Sequence, residues 1–147
     1  EPVTKIASVI SKKKRIRQML KKVQHDLAYN PPKKFKGSIL DGRDIGTVIM
    51  PDAHVKVYLT ASLNVRAIRR YKEYKKMGIK TTLGRVKSDI KKRDYEDTHR
   101  KISSLKPAKD AVLLDSSFYN TKAAFVEIDE VIRNEIKRLN ATKHKSL

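Results

Sequence analysis

The chain has 147 residues, 35 Lys plus Arg, 16 Asp plus Glu and no Cys, for a formal charge of +19. A length of this order suits one domain or part of one, and without Cys there is no disulfide framework, Cys-ligated zinc or thiol catalysis. The uninterrupted apolar runs are only a few residues long, too short to cross a bilayer, and the first ten residues lack the basic-then-apolar order of a signal peptide.

Residues 4–28 predict helix, because Ile6, Val9, Ile10, Ile16, Met19, Leu20, Val23 and Leu27 recur at spacings of mostly three and four. The basic run Lys12 to Arg17 interrupts that pattern, so a bend is expected near 11–14. Pro31 and Pro32 end the segment, since the residue before a proline is pushed out of the helical region. Ser38-Ile39-Leu40 predicts a short buried strand that opens at Asp41-Gly42 onto a loop or short helix over 43–51. Val55 to Thr60 predicts a second strand, and Ser62 the cap of a helix that runs to about Met77 and stops at Gly78. A further helix is expected from about Thr82 to Thr98, then a strand over Val112 to Asp115. Thr121 is expected to cap a last helix to about Leu139, with Phe125, Ile128, Val131, Ile132, Ile136 and Leu139 facing inward. Strands alternating with helices predict a parallel α/β sheet with flanking helices.

Two segments carry chemistry. Asp41-Gly42-Arg43-Asp44-Ile45-Gly46-Thr47 follows directly on a predicted strand, and in open α/β sheets ligands bind beyond the carboxyl ends of the strands. There a carboxylate can organise a metal ion or its waters, and an adjacent Arg can clamp a phosphate through two parallel hydrogen bonds. The plain alternative is a strand-ending turn, for which Asp-Gly is common. Arg93, Asp97 and Arg100 stand at i, i+4 and i+7, so on a helix they share one face. Two guanidiniums flanking a carboxylate can hold a phosphate and sugar hydroxyls, whereas an exposed ion-pair ladder is worth only a few tenths of a kcal/mol per pair. His25, His54, His99 and His144 are not at metal-ligand spacing.

Together these segments resemble the bacterial cytidylate kinases, a family of P-loop nucleoside monophosphate kinases. The resemblance runs through most of the chain: Ala7-Ser8, Arg15-Ile16-Arg17, Leu20 and Gln24; Asp41 to Thr47 with Pro51-Asp52-Ala53; Ala61-Ser62, Arg66-Ala67 and Arg69-Arg70; Arg93-Asp94, Asp97 and Arg100; and Ala111 to Ser116. It implies an ATP-dependent, Mg²⁺-assisted phosphorylation of CMP or dCMP in the cytoplasm, with no membrane partner. Ser8, Arg17 and Asp44 would read the cytosine edge, Arg43 and Arg100 would hold phosphate, and Arg93 and Asp97 would contact the pentose. Asp41 would sit near the phosphates and Mg²⁺, no metal ligand being assigned directly, and Arg69 would approach ATP from the lid. It also implies a division into a CMP-binding helical segment (1–30), central strands (38–60), a lid region (61–100) and a last strand and helix (111–139). The loop from Tyr29 to Gly37 is longer and more basic than the family's usual connection, and His25 stands where Arg is usual.

A kinase of this kind needs a phosphate-binding loop, Gly-x4-Gly-Lys-Ser/Thr. The glycines at 37, 42, 46, 78 and 84 provide none, because Arg43-Asp44 follows the only pair with the right separation, Gly37 and Gly42. The resemblance therefore places the chain as roughly the C-terminal two-thirds of the family's domain. The absent first strand would belong between the strands predicted at 38–41 and 55–60. An incomplete P-loop kinase-type sheet, only loosely folded alone, is the expected state; the expected origin is a fragment of a complete enzyme, the others being a decayed or split gene product and one half of a two-piece enzyme partnered by the missing N-terminal segment. The rival class is a basic nucleic-acid-binding protein acting through Lys12 to Lys22, which no base-stacking platform supports. On the kinase reading the pure chain releases no ADP from ATP and CMP in a coupled assay, and turnover by it would overturn the assignment of a missing phosphate-binding loop.

Overall fold

The computed structural model describes residues 6, 10, 13–100 and 103–143. Helix α1 spans Lys14–Tyr29. It begins at Lys13, whose N–H donates to Ile10 C=O at 2.9 Å, so the chain turns where the basic run begins. At its other end Asn30 N–H closes the last turn on Asp26 C=O, and the two prolines follow. Beyond the loop, Ser38 Oγ donates to Ala28 C=O at 2.7 Å and ties the incoming chain to the helix end.

The strand predicted at 38–40 is not formed; residues 37–41 run without regular pairing, and Ile39 is 97 % exposed. A strand is stabilised by its ladder, and no described segment pairs with this one. The loop-or-helix prediction for 43–51 resolves as a π-helical turn over Ile45–Ile49. Its wide closure is visible in Met50 N–H on Ile45 C=O at 2.7 Å and Ile49 N–H on Asp44 C=O at 3.2 Å. Single π turns of this kind are frequent at functional sites. A Cβ at Gly46 would come 3.3 Å from the Lys56 side chain, so glycine lets the turn approach that lysine closely. The same lysine donates to Asp110 at 2.5 Å and to Pro51 C=O, joining the turn to the strands behind it.

The sheet consists of β1 (Val57–Thr60) and β2 (Val112–Asp115), parallel, in the register Val57↔Val112 to Thr60↔Asp115. Two helices connect them. Ser62 caps α2 (Leu63–Lys76) by accepting from Val65 N–H, and Thr82 caps α3 (Leu83–His99) by accepting from Arg85 N–H. Gly78, at φ +70°, terminates α2: its N–H bonds Lys75 C=O while Ile79 N–H bonds Tyr74 C=O. That pair of bonds is the Schellman closure, which needs a left-handed residue. The two helices pack together, and Ala67 and Val86 are fully enclosed. After β2 comes a 3₁₀ turn at Ser116–Phe118, then α4 (Thr121–Lys143). The cap of α4 is Asn120, whose Oδ1 accepts from Ala123 N–H at 2.9 Å, one residue before the predicted Thr121.

The apolar core is thin. Among the described residues its buried members are Ala28, Ile49, Ala61, Ala67 and Val86, and no large side chain is completely enclosed. Of the residues expected inward on α4, Ile128, Val131, Ile132 and Leu139 are half-buried, while Phe125 and Ile136 are exposed. Amphipathic periodicity identified a stripe there, but the stripe has too little protein opposite to cover it.

Among the described residues, one edge of β1 is unpaired. Val112 N–H donates to Lys56 C=O at 2.9 Å, so the even-numbered residues of β1 turn their amides towards β2. The N–H and C=O groups of Val57 and Leu59 point the other way, into a cleft of about 650 Å³ whose walls include Leu40, Asp41 and Thr47. Amide hydrogen exchange should therefore alternate along β1, with Tyr58 and Thr60 protected and Val57 and Leu59 exchanging roughly tenfold faster or more. Uniform protection would mean that the second edge is occupied.

Candidate anion-binding site

Arg43 and Asp44 stand at the mouth of the π turn, just beyond the extended segment 37–41. The preceding turn aims the two side chains at different partners. Asp44 meets Arg17, from the middle of α1, in a hydrogen-bonded ion pair. Arg43 meets Asp97, from the last turn of α3. Asp97 is also 3.5 Å from Arg100 and 4.0 Å from Arg93, and its own side chain is only 13 % exposed. A carboxylate among three guanidiniums thus joins the Asp41–Thr47 segment to α3, and Asp44 joins the same segment to α1.

Arg100 does not lie on the helical face predicted for it. Helix α3 ends at His99, and Arg100 takes an extended conformation at φ −69°, ψ 143°. It still reaches Asp97, because a residue one step past the helix end can fold its side chain back over the last turn. Its Nε is buried and has no hydrogen-bond partner. Burial, then the nearby Arg17, lowers the pKa of Arg100, with Asp44 opposing. Burial, then Arg93 and Arg100, lowers the pKa of Arg43. Guanidiniums remain charged at neutral pH, so these shifts register first the partly dry site and then repulsion between the arginines. Four guanidiniums (Arg17, Arg43, Arg93, Arg100) face two carboxylates (Asp44, Asp97), an excess of two positive charges. That excess matches a phosphate monoester dianion, which would relieve the repulsion and take up the unused donors.

The remaining predicted residues fall elsewhere. Asp41 lines the cleft beside β1 and stands outside the arginine cluster. Arg69 donates to Ser116 C=O at 2.6 Å and Tyr119 C=O at 2.8 Å, and to Ser116 Oγ at 3.2 Å, so its guanidinium braces the turn after β2. Ser8 lies outside the described residues. Sequence reasoning missed a further arginine at the cleft. Arg66 lines it, pairs with Asp94 through two contacts of 2.8–2.9 Å, and holds Ala61 C=O at the carboxyl end of β1. Arg66 and Asp94 stand on different helices, so no local spacing could have linked them. No group of three or more His, Asp or Glu side chains able to hold a metal occurs among the described residues. None of the described helices is long and apolar enough to cross a membrane.

A parallel strand pair with flanking helices and a net-positive arginine cluster at one end defines an incomplete α/β protein. The chain belongs to the cytidylate kinase family, whose model matches residues 1–138. It is 41 % identical over 136 residues to a cytidylate kinase of Streptococcus mutans, covering 92 % of this chain and 58 % of that protein. Cytidylate kinases of Ligilactobacillus salivarius (43 % over 137 residues, 93 % of this chain, 55 % of that protein) and Thermosipho melanesiensis (39 % over 131 residues, 89 % and 58 %) are similar. The chain therefore spans little more than half the length of these relatives.

The cluster makes a test of its own. Replacing Asp97 by Asn leaves Arg43, Arg93 and Arg100 facing one another without their shared counter-charge. Because the site is only partly buried, thermal unfolding should register a loss on the order of 1–2 kcal/mol. Added sulfate should restore much of it, and chloride at equal ionic strength should not. A variant as stable as the parent would show that the cluster does not hold these segments together.

Proposed function

We propose that this chain is the acceptor-binding part of a cytidylate kinase, which transfers the terminal phosphoryl group of ATP to CMP or dCMP. The observation that carries the reading is the convergence of Arg17–Asp44 and Arg43–Asp97–Arg93–Arg100 into one site from segments far apart in sequence. Cytosine presents an amino donor beside two acceptors; Asp44 accepts from the amino group and Arg17 donates to the ring acceptors. Arg43 and Arg100 bind the phosphate, and Arg93 with Asp97 holds the pentose, with Ser8 as a further contact to the base.

Phosphoryl transfer asks little covalent chemistry of the protein; it depends on placing the two nucleotides and neutralising charge on the transferred group. The arginines supply the acceptor half of that neutralisation. Mg²⁺ has no adequate cradle among the described residues, since Asp41 is a lone carboxylate on the cleft wall. The phosphate-binding loop and the divalent ion belong with residues outside this sequence, and Arg69 serves the ATP side by keeping the turn after β2 in place.

Calorimetric titration tests the proposal. CMP should bind in preference to AMP, and Arg43→Ala should weaken CMP by roughly 10- to 100-fold, the effect of losing one charge-assisted phosphate clamp. Asp44→Ala should remove the preference between the bases. Binding that ignores the base and falls steeply with salt would instead favour a general polyanion-binding role for the charge of +19.

A further inference from the structure

Helix α1 meets the rest of the protein with the wrong edge for an amphipathic helix. The edge turned inward carries buried Ala28 and half-buried Arg17 and Gln24. It is held by polar ties: Arg17 to Asp44, Ser38 Oγ to Ala28 C=O, and Tyr29 to Asp52. Apart from half-buried Ile16, the large apolar residues face away. Met19 is 65 % exposed, Leu20 51 %, Val23 54 % and Leu27 62 %. At about 100° per residue these four fall within an arc of roughly 100°, the width of a stripe that packs on a core. A soluble monomer rarely leaves so continuous an apolar stripe in water.

Two observations say what covers it. The relatives match this chain over about nine-tenths of its residues, yet the chain spans only 58 % of their length, so a large part of the relatives' chain has no counterpart here and must pack against something. The apolar core of the described residues also contains no large, completely enclosed side chain, as expected of a core built from only one of its sides.

We propose that the stripe Met19–Leu20–Val23–Leu27 is the docking face for the part of the cytidylate kinase domain that this chain does not span, and that the two parts associate through it when supplied as separate chains. The inference rests on family membership and on the exposure of α1, and is independent of which nucleotide the arginine cluster holds. The surface is apolar at its centre and basic at one flank, where Arg15 and Lys22 stand. It therefore suits a partner with an apolar face and acidic residues along one border.

The experiment co-expresses the 147-residue chain with the portion of the Streptococcus mutans cytidylate kinase that has no counterpart in it. A one-to-one complex should be recovered at micromolar concentration. Leu20→Asp and Leu27→Asp should each weaken it at least tenfold, while Lys14→Ala, on the opposite side of the helix, should leave it within about twofold. The absence of cysteine allows a second reading that does not depend on the Asp variants folding. Val23→Cys should react with a maleimide at least tenfold more slowly in the complex, and Lys14→Cys at an unchanged rate. Failure to recover a complex, a complex indifferent to the Asp variants, or unchanged labelling of Val23→Cys would each overturn the proposal. So would protection of Val23→Cys by phosphatidylglycerol vesicles but not by the complementary segment, which would assign the stripe to a membrane surface. None of these readouts involves nucleotide, so a failure to bind CMP leaves the result intact.

Discussion

The described structure depends on one carboxylate. Asp97 sits among Arg43, Arg93 and Arg100 and joins the loop after residue 41 to the last turn of α3. Arg17 and Asp44 then extend the same network to α1. In a domain with a full apolar core, an ion cluster of this kind contributes specificity more than stability. Here the buried apolar residues are mostly small, so charge and hydrogen bonds hold segments that apolar packing would otherwise hold. Arrangement for a ligand and arrangement for folding are therefore coupled. On the proposed reading, a phosphate dianion that balances the positive excess would also tighten the segments that the cluster joins.

The strand pair supplies the frame on which this network is hung. Arg66 grips the carbonyl at the end of β1, and Arg69 grips those of the turn after β2. Two arginines on one helix thus set the geometry of both strand ends. Ser116, buried beside them, donates to Thr60 C=O at 3.0 Å and fastens the two ends to each other. These guanidiniums spend their donors on backbone carbonyls, which makes the strand ends rigid where a phosphorylated ligand would approach. Among the described residues, the free edge of β1 and the apolar stripe of α1 are backbone and side-chain surfaces left without a partner.

Local rules found what depends on neighbours in sequence. The apolar spacing of α1 and α4, the Ser62 and Thr82 caps and the Gly78 stop are decided within one or two helical turns, where side-chain and backbone groups compete for the same few hydrogen bonds. The strands at Val57–Thr60 and Val112–Asp115 followed from β-branched and apolar runs of the right length, and the structure alone supplied their pairing. The residues of the arginine cluster were recognisable through their resemblance to a family, since nothing in their spacing brings Arg17 to Asp44 or Arg43 to Asp97. Ser38–Leu40 reads as a strand by composition and remains unpaired, because pairing is a property of two segments.

The sequence by itself determined where the helices lie, several of their caps and stops, the charge and the absence of a phosphate-binding loop, since each is a matter of residue identity over a few positions. Tertiary structure decided which guanidiniums gather in the cluster around Asp97 and which brace the strand ends. Arg69 and Arg100 look alike in the chain, yet one donates to two backbone carbonyls and a hydroxyl while the other keeps a buried Nε with no hydrogen-bond partner. It also decided which side of α1 faces inward. That outcome turns on the balance between long-range ion pairs and apolar burial, and neither can be read from a segment before its partners are in place.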